Sequence, residues 1–127
     1  MIDWSKYPNF SKAEFECSHT GKCEMDKDFM DKLQELRSEA CFPFIITSGY
    51  RDVTHPIEAA KGHGGEHTLG KAVDIAVSRQ RADKVLELSY KYGFTRRGVS
   101  QSGDGRFLHL GTATQDDGFL ENTVWSY

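Results

Sequence analysis

The stretch KAVDIAV, residues 71–77, alternates strictly between two kinds of side chain. In an extended strand Val73, Ile75 and Val77 fall on one face, and Ala72, Asp74 and Ala76 fall on the other. Such a strand needs a sheet with one face packed on other elements and the opposite face left open. A lone aspartate between two alanines then stands on the open face with room around it.

The rest of the chain supplies elements for that sheet. Ser11-Lys-Ala-Glu14 has the capping-box pattern and predicts a short helix running through Phe15. Asp26 caps a longer helix in which Phe29, Met30, Leu33, Leu36 and Ala40 recur at helical spacing, and Pro43 stops it. Ser78 caps another, with Ala82, Val85, Leu86 and Ser89 facing inward and Gly93 ending it. Besides 71–77, strands are expected around 44–47, 94–100 and 106–111, the last two joined by the turn-rich QSGDG. In the final strand Phe107 and His109 share one face, Leu108 and Leu110 the other. This order predicts an α+β fold, a small antiparallel sheet with helices packed on one face.

With 127 residues the chain is expected to form a single domain over 1–127. A net charge of −3 with scattered Lys and Arg gives no nucleic-acid footprint. No apolar run approaches the roughly 18–20 residues that span a bilayer, so membrane insertion is not expected. MIDWSKYPNF lacks the pattern of a secretory signal, which predicts synthesis in the cytosol, and a monomer is expected. Three cysteines, Cys17, Cys23 and Cys41, cannot all pair within one chain, and reduced thiols are the expectation. Cys17, His19 and Cys23 do not have the spacing of a standard zinc finger.

Residues 48–66 hold four glycines, one proline and two histidines, His55 and His63. So long a loop in a small domain is usually functional. Immediately after it come His67 and Asp74, spaced for a loop followed by a strand, with Gly70 allowing a tight turn between them. His109 supplies a third ligand if its strand pairs beside that of Asp74. Catalytic zinc takes three such protein ligands and keeps one position open. Taken singly, each residue is more often a local hydrogen-bonding group than a ligand.

Three motifs extend the argument. TSGYR at 47–51, the frame His67-x-x-Gly70-x-Ala72-x-Asp74, and Phe107-Leu108-His109 together resemble the zinc D-alanyl-D-alanine carboxypeptidase family. That family includes phage endolysins that cut L-alanyl-D-glutamate bonds, and it shares its fold with the hedgehog signalling domain. Phe10-Ser-Lys-Ala-Glu14-Phe15 matches the F-x-x-x-E-F opening of its short members. The resemblance implies zinc held by His67, Asp74 and His109, with Arg51 at the substrate and Ser48 and Tyr50 beside it. It implies hydrolysis of peptidoglycan stem peptides by a cell-wall enzyme, one that reaches the wall after release in a phage-infected host.

Two departures stand out. Arg106 occupies the position, three before the last ligand, where many relatives carry an acidic general base, and arginine cannot accept a proton. His109-Leu110-Gly111 replaces the H-V-D common in that branch. Asp104 is the first candidate for the missing proton acceptor and Glu66 the second. The competing reading is a non-catalytic zinc-binding module, structural or adhesive, in a virion. Trp125 and Tyr127 are expected to anchor the tail or stack on substrate.

Overall fold

The computed structural model describes residues 2–62 and 64–127. Five strands form one sheet: β1 (Ile45–Ser48), β2 (Ala72–Ala76), β3 (Arg96–Ser100), β4 (Phe107–Gly111) and β5 (Thr123–Ser126). Their order is β1-β2-β4-β3-β5. The first four are antiparallel to their neighbours, as expected, but β5 joins β3 in parallel, which makes the sheet mixed. That strand comes from a tail whose alternation is too short to read, and only its pairing with β3 defines it.

The helices are α1 (Lys27–Ala40), α2 (Pro56–Lys61) and α3 (Arg79–Lys91). The Asp26 carboxylate accepts the Phe29 N–H at 2.9 Å, which satisfies one of the donors that open α1. All five residues assigned to its inner stripe are buried. In α3 the inner residues are Ala82, Val85, Leu88 and Ser89, and Leu86 is only partly buried. Leu88 completes the i, i+3 step from Val85, so the stripe runs one column away from the expected one. The loop 48–66 is not wholly irregular. His55 Nδ1 accepts the Ile57 N–H at 3.2 Å and Pro56 opens α2.

Val73, Ile75, Leu108 and Leu110 form one side of the core, closed by Phe29, Leu33 and Leu36 of α1 and Val85 and Leu88 of α3. The F-x-x-x-E-F segment contributes too. The Ser11 N–H donates to Glu14 Oε2 at 2.7 Å, and Phe15 is fully buried with its carbonyl accepting the Tyr50 N–H at 2.9 Å. The opposite sheet face is left to Asp74, Phe107, His109 and Gly111. His63 lies outside the described residues. Among the described residues no helix is long and apolar enough to cross a membrane.

Gly70 ties the two halves together. Its φ is 69°, and a Cβ there would meet the Glu24 carbonyl oxygen at 2.1 Å and Asp26 N at 2.8 Å, both backbone atoms. Gly70→Ala is therefore expected to cost roughly 2–4 kcal/mol, read as a lowered midpoint in denaturant unfolding of the metal-free protein. A midpoint within about 0.5 kcal/mol of the parent would contradict this packing.

Candidate metal centre

Register builds the centre. In the β2–β4 pairing Asp74 lies directly across from His109, and Gly98 lies across from His109 on the other side. The 3-10 turn Glu66–Leu69 delivers His67, and Gly70 ends that turn with its N–H directed at the Glu66 and His67 carbonyls. One ligand atom each from His67, Asp74 and His109 lies within 4.8 Å of the others. Asp74 Oδ1 is 3.5 Å from His67 Nε2 and 3.1 Å from His109 Nδ1.

The outer ring nitrogens fix which atoms face the cluster. His67 Nδ1 is 2.8 Å from the Gly49 carbonyl, which can only accept, so Nδ1 donates there and Nε2 is the ring atom turned toward Asp74. His109 Nε2 meets Glu66 Oε1, which leaves Nδ1 as the ring atom turned toward Asp74. Two imidazoles and one carboxylate, converging and mostly buried, match the donor set of a catalytic zinc site with one position free. The residues therefore fit the metal that the sequence motifs imply.

Electrostatics agree. Burial works against the charge of Asp74, but hydrogen bonds and charge from His109 and His67 outweigh it and hold the carboxyl well below the usual range. Burial also disfavours a charged His109, yet Asp74 and Glu66 raise its pKa.

Arg51 borders the cluster. Its Nη2 stands 3.6 Å from Asp74 Oδ2, while its Nη1 donates to Glu58 Oε2 at 3.2 Å. Glu58, only 1% exposed, also accepts the Gly65 N–H at 2.7 Å and pairs with Lys61 at 3.5 Å. It thus fixes both the arginine and the approach to His67. Nothing in its sequence context marks it, because a glutamate in the first turn of a short helix usually faces solvent.

The cluster opens into a cavity of about 500 Å3. Ile57, Lys61, Arg96 and Phe107 line it together with the aromatic rings of Phe119, Trp125 and Tyr127. Trp125 lies over Gly98, where a Cβ would meet the indole at 2.7 Å, and its ring is 5.1 Å from that of His109. The tail is both anchored and part of the cavity wall.

Other expected site residues lie elsewhere. Ser48 and Tyr50 line a small recess of about 40 Å3 that Arg51 also borders. Tyr50 is buried, with its hydroxyl donating to Glu24 Oε2 at 3.1 Å, so it anchors the loop and does not reach the cavity. Asp104, at the tip of the β3–β4 hairpin, borders a separate cleft with residues 76–79. The hairpin extends beyond the end of the β2–β4 pairing and carries Asp104 away from the cluster. The second candidate, Glu66, borders the cavity but is engaged with His109 and Arg96. His55 pairs with Ser18 Oγ at 3.2 Å and lines none of the cavity. Cys17, Cys23 and Cys41 are free thiols, and among the described residues His67, Asp74 and His109 are the only group arranged to hold a metal.

This arrangement has a family. The model for peptidase M15 matches residues 8–111, a span that holds all three ligating side chains and Arg51, and the chain belongs to that family. Its peptidases are zinc-dependent. No curated protein matches the chain. The matched span stops at Gly111, so Phe119, Trp125 and Tyr127 reach the cavity from beyond it.

Glu58 gives a pH test. Burial opposes its charge, but the Gly65 N–H and then Arg51 and Lys61 hold its pKa below that of an ordinary glutamate. A depressed carboxyl stabilises the fold above its unfolded pKa, about 4.3, and that contribution is lost as pH falls through the folded value. Glu58→Gln is expected to lower stability by about 1–3 kcal/mol at pH 7 and to flatten the acid limb of the stability profile below about pH 4.3. Parallel profiles for variant and parent would contradict the assignment.

Proposed function

We propose that this chain is a zinc peptidase that hydrolyses peptide bonds in peptidoglycan stem peptides, working as a single domain. The observation that carries this reading is the His67–Asp74–His109 cluster lining the cavity, with Arg51 held beside it. Zinc held by His67, Asp74 and His109 would supply Lewis acidity toward water and a peptide carbonyl. Arg51, locked on its Glu58 side, presents a guanidinium to a substrate carboxylate or to the charge that develops on the scissile oxygen. Arg51, Lys61 and Arg96 line the cavity against only two carboxylates, Asp74 and Glu66, which suits the free carboxylates of a stem peptide. The aromatic wall gives the apolar part of the peptide a surface and excludes water from the reacting bond.

The finer reading is an endolysin, released in a phage-infected host, and it rests on the motif resemblance. Carboxypeptidase and endopeptidase action both fit the same cluster. A specific observation favours the second, non-catalytic reading. Of the carboxylates lining the cavity, Asp74 belongs to the cluster and Glu66 is engaged with His109, so neither stands free to take a proton.

Digestion of purified sacculi separates the two. The zinc-loaded protein is expected to release new amino termini, seen by mass spectrometry as cleaved stem peptides, and His67→Ala is expected to lose both bound zinc and cleavage. Arg51→Lys keeps the charge but not the fork, so a rate loss of about 10²-fold with zinc content unchanged is expected. Stoichiometric zinc with no cleavage across several wall types would favour the non-catalytic module.

A further inference from the structure

We propose that Glu66 is the positioning carboxylate of His109, and that it reaches the imidazole through space left by Gly111. The proposal rests on the reading of His67, Asp74 and His109 as the metal cluster.

Glu66 is 4% exposed although it directly follows a glycine-rich loop. A buried carboxylate is costly unless paired, and this one has three partners. Oε1 meets His109 Nε2 and stands 3.0 Å from Arg96 Nε, while Oε2 accepts the Ala113 N–H at 3.4 Å. Arg96 is itself fixed, with its guanidinium 5.0 Å from both the Phe119 and Trp125 rings and its Nη1 donating to the Leu120 carbonyl at 2.6 Å. The contact to His109 is on the nitrogen opposite the one facing Asp74. That placement takes Glu66 away from the cluster side of the ring, so it acts through His109 and not on the reacting atoms. A carboxylate on the outer nitrogen fixes the tautomer and orientation of a ligating histidine and strengthens it as a donor.

Gly111 completes the argument. Its φ is not in the left-handed region, so the backbone does not demand glycine. The space does: a Cβ at 111 would lie 2.1 Å from Glu66 Oε2, 2.3 Å from Cδ and 2.4 Å from Oε1. Position 111 is two residues beyond His109 on the same face of β4, so a short acidic side chain there would reach the same region. Glu66 and a side chain at 111 thus compete for one volume, and an acidic residue at 111 would bring a carboxylate to this imidazole only where Glu66 is withdrawn.

The test compares four proteins: parent, Glu66→Gln, Glu66→Ala, and Glu66→Ala combined with Gly111→Asp. Zinc affinity is read by chelator competition, and ligand geometry by the visible spectrum of the cobalt-substituted forms. Glu66→Ala is expected to weaken zinc by about 10- to 100-fold and to shift the cobalt bands, with Glu66→Gln losing less because its amide oxygen still accepts. The double variant is expected to recover most of the affinity and the parental spectrum. Zinc affinity and cobalt spectrum unchanged in both single variants would overturn the proposal. A double variant no better than Glu66→Ala would overturn the exchange between positions 66 and 111. If the parent itself fails to hold one zinc, or His67→Ala holds it equally well, the cluster reading falls and this proposal with it. Should Glu66→Ala not fold, Glu66→Gln decides.

Discussion

The pairing of β2 with β4 sets Asp74 and His109 face to face, and the site depends on that register. Side-chain direction alternates along a strand, so a slip of one residue would turn Asp74 into the core and bring a leucine opposite it. The register is held by the apolar face. Val73 and Ile75 interleave with Leu108 and Leu110 against α1 and α3, and all four are buried. Hydrophobic packing on one side of the sheet thereby fixes polar geometry on the other.

Around the cluster the charges form two short chains that serve different ligands. On one side Asp74 is followed by Arg51, Glu58 and Lys61; on the other His109 is followed by Glu66 and Arg96. Each buried carboxylate is compensated by a cation that is itself restrained, which is the condition under which buried charge is tolerated. His67 has the simplest support, a backbone carbonyl from Gly49. Gly49 has its own reason to be glycine, since a Cβ there would meet Phe15 Cα at 2.7 Å. The amino-terminal segment thus reaches the metal centre through two residues.

Much of this was legible from residue order. The stripe of α1 and the alternation around Asp74 follow from local spacing, and TSGYR with the His67–Asp74 frame pointed to the ligands. What could not be read depends on contacts between distant segments. Glu58 and Arg96 look like surface charges until the fold buries them. Trp125 belongs to a strand that only β3 defines. Asp104 was a reasonable proton acceptor by proximity in sequence, but a hairpin tip extends past the strands that hold the cluster, whereas Glu66 folds back under His109. Leu86 and Leu88 show the finer limit, because helical periodicity places a stripe to within about one column and packing chooses between neighbours.

The central claim is that zinc sits on His67 Nε2, Asp74 and His109 Nδ1. X-ray absorption at the zinc edge of the loaded protein tests it most directly. The predicted spectrum shows two imidazole nitrogens and a carboxylate oxygen at about 2.0–2.2 Å, with imidazole scattering removed stepwise by His67→Ala and His109→Ala. A sulfur shell near about 2.3 Å, placing the metal on the cysteines, would contradict the account.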